Sequence, residues 1–136
     1  MADAGVGRVY LPHEWLTAAG VAPDGVGAPN NRVAVHGVTL RLLDEADRYY
    51  ASAYHGLPDL PMRSALAIAA ARRIYADIGT VVRTGGPDGS LVRAKTGSAR
   101  KMMGLAAAGL DTITARTLAR LRHAPPRVDL WTMPRL

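Results

Sequence analysis

Three observations place this 136-residue chain in the all-α class. Apolar residues recur at three- and four-residue spacing over two long stretches, 31–56 and 61–83, the pattern of one helix face. Clusters of glycine and proline close these stretches at their ends. An alternating, strand-like pattern persists nowhere outside 31–40.

The elements follow in order. Pro12 opens a short helix as its first residue, with His13 and Glu14 in the first turn, Trp15 and Leu16 apolar and Gly20 as the stop. Residues 21–30 hold two glycines, two prolines, Asp24 and Asn30, and read as a surface loop. A long helix then carries Val35, Val38, Leu42, Ala46, Tyr49, Tyr50 and Ala53 on its apolar face. Arg41, Asp44, Glu45, Asp47 and Arg48 form its wet face, and Gly37 is its weak point, where it would otherwise begin. Gly56-Leu57-Pro58 ends it through a glycine cap.

Pro61 starts the next helix. It has one apolar stripe through Leu66, Ala70, Ile74, Ile78 and Val81, and a second through Ile68, Ala71, Tyr75 and Val82. A helix apolar over so much of its circumference is expected at the centre of its fold. Residues 84–90, Thr-Gly-Gly-Pro-Asp-Gly-Ser, break it. A last basic helix follows over 91–122, with interruption expected at Gly104 or Gly109. Residues 1–123 are read as one helical domain and 124–136 as a proline-rich, non-helical tail.

Composition narrows the function classes. With 49% hydrophobic and 21% charged residues the chain has the balance of a soluble globular protein. There is no cysteine, hence no disulfide framework and no thiolate metal site. The opening Met-Ala-Asp-Ala-Gly is not a secretory signal, and the best apolar run, 64–82, contains Arg72, Arg73 and Asp77, so a cytoplasmic protein is expected. A net charge of +6 favours phosphate esters, nucleic acid or an acidic membrane face as partners. Nucleic acid is set aside, because the basic residues are dispersed and no zinc-finger or aromatic-basic signature is present.

Few residues suggest chemistry by pattern alone. His13, His36, His55 and His123 lack ligand spacing and read as surface or capping residues. Asp44, Glu45 and Asp47 offer oxygen ligands suited to Mg²⁺, but Asp44 with Arg48 and Arg41 with Glu45 fit a solvated face of i, i+4 pairs better. Tyr75 places a phenol on an apolar helix, where it needs a partner or a cavity. Arg93 follows the glycine-rich turn, where a guanidinium can grip a diphosphate. By pattern, a core tyrosine and a surface arginine explain these two equally well.

Residues 3–12, Asp-Ala-Gly-Val-Gly-Arg-Val-Tyr-Leu-Pro, give a sharper lead. Gly7, Arg8, Tyr10, Leu11 and Pro12 resemble the end of the second aspartate-rich motif of the squalene and phytoene synthase family: Asp-x-x-x-Asp, three residues, then Gly-Arg-x-Tyr-Leu-Pro. Asp3 falls on the second aspartate of that motif, while the first would precede Met1. Leu43-Asp44-Glu45-Ala46, residues 49–53, Gly56-Leu57-Pro58 and Leu60-Pro61 resemble the helix and turn after the motif. Tyr75 with Ile78 resembles the family's Tyr-x-x-Ile helix. Arg93-Ala94 with Ala99-Arg100-Lys101 resembles its Arg-Ala-x-Val-Ser-Lys-x-Lys-Lys segment, with Ser98 where lysine is usual. The resemblance runs from Asp3 to about Leu105.

It implies the C-terminal helices of an isoprenoid-synthase fold and a prenyl transferase that joins two geranylgeranyl diphosphates head to head in carotenoid biosynthesis. It further implies that Asp3 ligates Mg²⁺, that Tyr10 and Tyr75 line the catalytic site, and that Arg93 and Arg8 meet the substrate diphosphate. The family's first aspartate-rich motif is missing from the 136 residues, so a fragment inactive on its own is expected. An N-terminal partner fragment, self-association and peripheral contact with the inner membrane are the partners this picture calls for. The competing reading is a non-catalytic helical binding or assembly module on the same scaffold.

Overall fold

The structure, a computed structural model, describes residues 8–89, 98–119, 121 and 130. Its helices are α1 (His13–Ala18), α2 (Arg32–Gly56), α3 (Met62–Gly89) and α4 (Ser98–Ala119), with 3₁₀ turns at Pro23–Gly25, Pro29–Asn31 and Leu57–Asp59. No strand occurs among the described residues, so the all-α expectation holds. The chain divides into two compact units, one from Met1–Glu45 with Asp77–Thr96, the other from Ala46–Ala76 with Gly97–Leu136.

In the first unit Pro12 stands one residue before α1, with an extended ψ of 128°, and its carbonyl accepts from the amides of Trp15 and Leu16, each at 3.1 Å. Gly20, at φ 71°, ends α1 in the left-handed conformation. Its amide reaches the Thr17 carbonyl and that of Val21 reaches the Leu16 carbonyl, both at 2.9 Å, the paired bonds of a Schellman cap. The apolar contact that accompanies such a cap is present, because Leu16 and Val21 share a buried cluster with Val26, Val35 and Val38.

This corrects the reading of 21–30 as a surface loop. Its glycines and prolines do set two turns, and Asn31 Nδ2 ties them together by donating to the Gly25 carbonyl at 2.9 Å. Between the turns, Val21 and Val26 are core residues, since apolar side chains bury wherever the backbone presents them to a core. His36 is buried as well, against the surface placement expected for it.

α2 runs unbroken through Gly37. On its wet face the Arg41 guanidinium stacks 4.1 Å from the Trp15 ring centroid. Asp44, expected to pair within its own helix, accepts from Arg83 of α3 at 2.7 Å. α3 breaks at Gly86, whose φ of 63° and ψ of −170° are non-helical, as the glycine-proline run requires.

In the second unit the buried cluster is Leu57, Ala65, Ala69, Ala108 and Ala115. Thr112 is also fully buried and satisfies its hydroxyl on the Ala108 carbonyl at 2.8 Å. α4 continues through Gly104 and Gly109, where interruption was expected. The picture of α3 as enclosed on most sides also needs correction: Leu66, Ile68 and Tyr75 are 38%, 45% and 58% exposed. The side chains that bury are alanines, because a face of small residues allows the closest approach of backbones. The proline-rich stretch 124–136 lies outside the described residues except for Leu130.

The glycines of α1 and α2 give opposite expectations. Nothing lies within 4 Å of a Cβ built at Gly37, so Gly37→Ala should stabilise the chain by about 0.5–1 kcal/mol in urea denaturation. Gly20→Ala, also open but left-handed, should destabilise it by about 1 kcal/mol in the same assay.

Candidate functional site

The segment leading into α1 alternates. Val9 and Leu11 pack against the Leu16 cluster, while Arg8 and Tyr10 are exposed, Tyr10 at 76%. The apolar pair therefore anchors the segment and leaves a guanidinium and a phenol facing outward from the first unit. Tyr75 belongs to the second unit, on α3. Asp3 and Arg93 lie outside the described residues.

Tyr75 has a neighbour that its sequence did not announce. The Tyr50 phenol of α2 is pushed above its ordinary acidity range, first by burial, then by the negative charge of Asp47 and by Tyr75 itself. The Tyr50 phenol thus stays protonated at neutral pH, able to donate a hydrogen bond.

The strongest polar constellation is one that sequence reasoning missed. Asp111 of α4 accepts three hydrogen bonds, from Arg73 Nε at 2.8 Å, Arg73 Nη2 at 2.7 Å and Arg72 Nη2 at 2.7 Å. The Arg72 guanidinium also lies 5.4 Å from the ring centroid of Tyr54, whose hydroxyl is 3.2 Å from Thr114 Oγ1. Arg116 donates to the Leu60 carbonyl beside the α2–α3 turn. One signal for this cluster was available: Asp111 is the single acidic residue of the basic stretch 91–122.

Burial works to raise the Asp111 carboxyl, but the hydrogen bonds from Arg73 and Arg72, with their charges, outweigh it and hold the group below the usual carboxylate range. Among the described residues no group of three or more His, Asp or Glu side chains comes together to hold a metal ion. The described residues therefore do not by themselves fit Mg²⁺. Nor is any described helix long and apolar enough to cross a membrane.

Comparison with known proteins agrees with this arrangement of segments. The family model described as squalene/phytoene synthase matches residues 1–100. A 15-cis-phytoene synthase of Enterobacter agglomerans is 42% identical over 132 residues, covering 97% of this chain and 44% of the relative. A 15-cis-phytoene synthase of Paracoccus sp. is 45% identical over 132 residues, covering 97% and 41%. A phytoene synthase of Pseudescherichia vulneris is 42% identical over 132 residues, covering 97% and 42%. The chain thus spans about two-fifths of the length of these relatives and corresponds to their C-terminal portion. No solved structure gives a significant match.

Because the folded-state acidity of Asp111 lies below the unfolded value of 3.8, its contribution is complete above that pH and is lost as pH falls through the lowered folded value. Asp111→Asn should cost about 3 kcal/mol at pH 7 and flatten the acid limb of stability, as read from urea denaturation between about pH 2 and 7.

Proposed function

The chain belongs to the squalene/phytoene synthase family, and on that premise we propose that it carries part of a prenyl transferase joining two geranylgeranyl diphosphates head to head to form phytoene. The observation that carries this reading is identity of 42–45% to phytoene synthases along 132 residues, nearly the whole chain.

In this reading Arg8 and Arg93 hold the diphosphate through planar guanidinium forks, which bind two phosphate oxygens at once. Tyr10 and Tyr75 donate hydrogen bonds to the oxygens on which negative charge grows as the diphosphate leaves, the point at which a fixed dipole contributes most. Tyr50, whose phenol senses Tyr75 electrostatically, adds a protonated hydroxyl to the same helical unit. Apolar helix faces exclude water from the carbocation formed on departure, through a cyclopropyl diphosphate on the way to product. Mg²⁺ belongs to this reading as the family's cofactor, with Asp3 as the ligand this chain would contribute. The net charge of +6 suits two anionic substrates.

A second reading, a non-catalytic assembly module, is favoured by one observation. Met103, Leu110 and Ile113 of α4, at seven- and three-residue spacing, are 73%, 65% and 58% exposed, an apolar stripe of the kind that marks an interaction surface.

Incubation with geranylgeranyl diphosphate and Mg²⁺ separates the two. The 136-residue chain alone should give no phytoene, and the chain mixed with the N-terminal portion of the Enterobacter relative should give it. In that mixture Tyr75→Phe should lower kcat by about 10- to 100-fold. A mixture without product, where the intact relative is active, supports the assembly module.

A further inference from the structure

We propose that Asp111 is a positioning residue: by receiving Arg72 and Arg73 together it fixes the rotation and register of α3, and so the direction in which the Tyr75 phenol is presented. The proposal rests on the role given to Tyr75 above.

The need for such a device comes from the packing of the second unit. Its buried side chains on α3 and α4 are Ala65, Ala69, Ala108, Thr112 and Ala115, all at most 4% exposed. Small residues let two helices come close, but they offer shallow ridges, and interlocking ridges are what fix the rotation of one helix against another. A seam of this kind holds helices near each other and leaves their register weakly specified.

The ionic cluster supplies what the seam lacks. Arg72 and Arg73 leave α3 about 100° apart, as consecutive helical residues do, yet both reach the same carboxylate. Two stems converging from different directions fix rotation and axial position together, which a single contact cannot. Arg73 binds through two parallel N–H groups, so its angle is set as well as its distance. Arg72 is further held on its other side by the Tyr54 ring, itself tied to Thr114 of α4. Asp111 is the most enclosed member of the cluster, with 14% of its side chain exposed against 22% for Arg72 and 38% for Arg73.

Tyr75 is three residues beyond Arg72, one turn along α3. A side-chain tip about 6 Å from a helix axis travels about 2 Å when the helix turns by roughly 20°. A displacement of about 1 Å is enough to cost on the order of 100-fold in rate where geometry matters. The same rotation would change the separation of Tyr75 from Tyr50, which gives a readout independent of catalysis.

The test uses the full chain labelled with ¹³C-tyrosine, with the ring resonances assigned through Tyr50→Phe and Tyr75→Phe. Asp111→Asn should move the resonances of both Tyr50 and Tyr75 while helix content by circular dichroism is unchanged. Asp111→Glu, which keeps the charge, should return them part of the way. In the mixture with the Enterobacter N-terminal portion, Asp111→Asn should lower kcat about 10- to 100-fold and change KM less than about twofold. The proposal is overturned if Asp111→Asn lowers thermal stability yet leaves both resonances where the unmodified chain has them. If Asp111→Asn does not fold, unchanged resonances in Asp111→Glu overturn it and shifted ones support it. A wild-type mixture that makes no product counts against the prenyl-transferase reading alone, and the tyrosine resonances still decide the role of Asp111.

Discussion

Taking the Asp111 carboxylate out of water costs several kcal/mol, and three charge-assisted hydrogen bonds at 2.7 to 2.8 Å from two guanidinium groups offset that cost. Removing the two arginines would leave the half-buried Asp111 carboxylate without partners, whereas Arg73, 38% exposed, could still meet water. Its value lies less in net stability than in register, the best-attested use of buried ion pairs. The alanine seam beside it brings close contact but little apolar area per residue, and the two features depend on each other. Close approach of α3 and α4 lets arginine stems reach the acid, and the acid tells the seam where to stop sliding.

The first unit is held differently. Leu16, Val21, Val26, Val35 and Val38 form an aliphatic cluster whose branched side chains interlock, so position is set by shape. Its ion pairs are peripheral, with the Asp44 side chain 75% exposed and that of Asp88 88% exposed, and in water such pairs contribute about 0–1 kcal/mol. The Arg8 to Leu11 segment borrows this rigidity. Val9 and Leu11 are fixed in the aliphatic cluster, which holds the alternating Arg8 and Tyr10 outward at a defined place on the chain. Arg8 and Tyr10, the residues the proposed function would use, stand next to anchoring residues and do no anchoring themselves.

That division explains what could be read beforehand. The ends of α1 and α3 were legible because Gly20 and Gly86 with Pro87 act locally, through backbone conformation that the residue types themselves dictate, whereas Gly56 stays right-handed at φ −86° and is not the glycine cap expected of it. Arg8, Tyr10 and Tyr75 were assigned their roles through resemblance alone, which carries information that periodicity does not. The partners of side chains were not legible. Arg83 meets Asp44 across 39 residues and Arg73 meets Asp111 across 38, and a helical pattern says which face is apolar without saying which faces meet. For the same reason the large residues of α3 were expected inside, whereas Ala65 and Ala69 took the buried position. Val21 and Val26 were hidden by their company, since glycine and proline describe the path of a loop and not the fate of the valines in it.

The exposed residues of α3 then acquire a consistent physical sense. Ile68 and Tyr75 are seven residues apart, two helical turns, and so lie on one face, at 45% and 58% exposure. Arg72, one turn before Tyr75, is withdrawn from that face by Asp111. What remains is a stripe with an aliphatic side chain at one end and a phenol at the other, with the Arg72 guanidinium engaged by Asp111. A prenyl diphosphate has the same polarity along its length: an apolar chain and an anionic head. If Tyr75 meets the head, the chain would run past Ile68. On the proposed function the withdrawal of Arg72 would have a second use, because a guanidinium on the stripe would bring strongly held water to a surface that this reading requires to be dry.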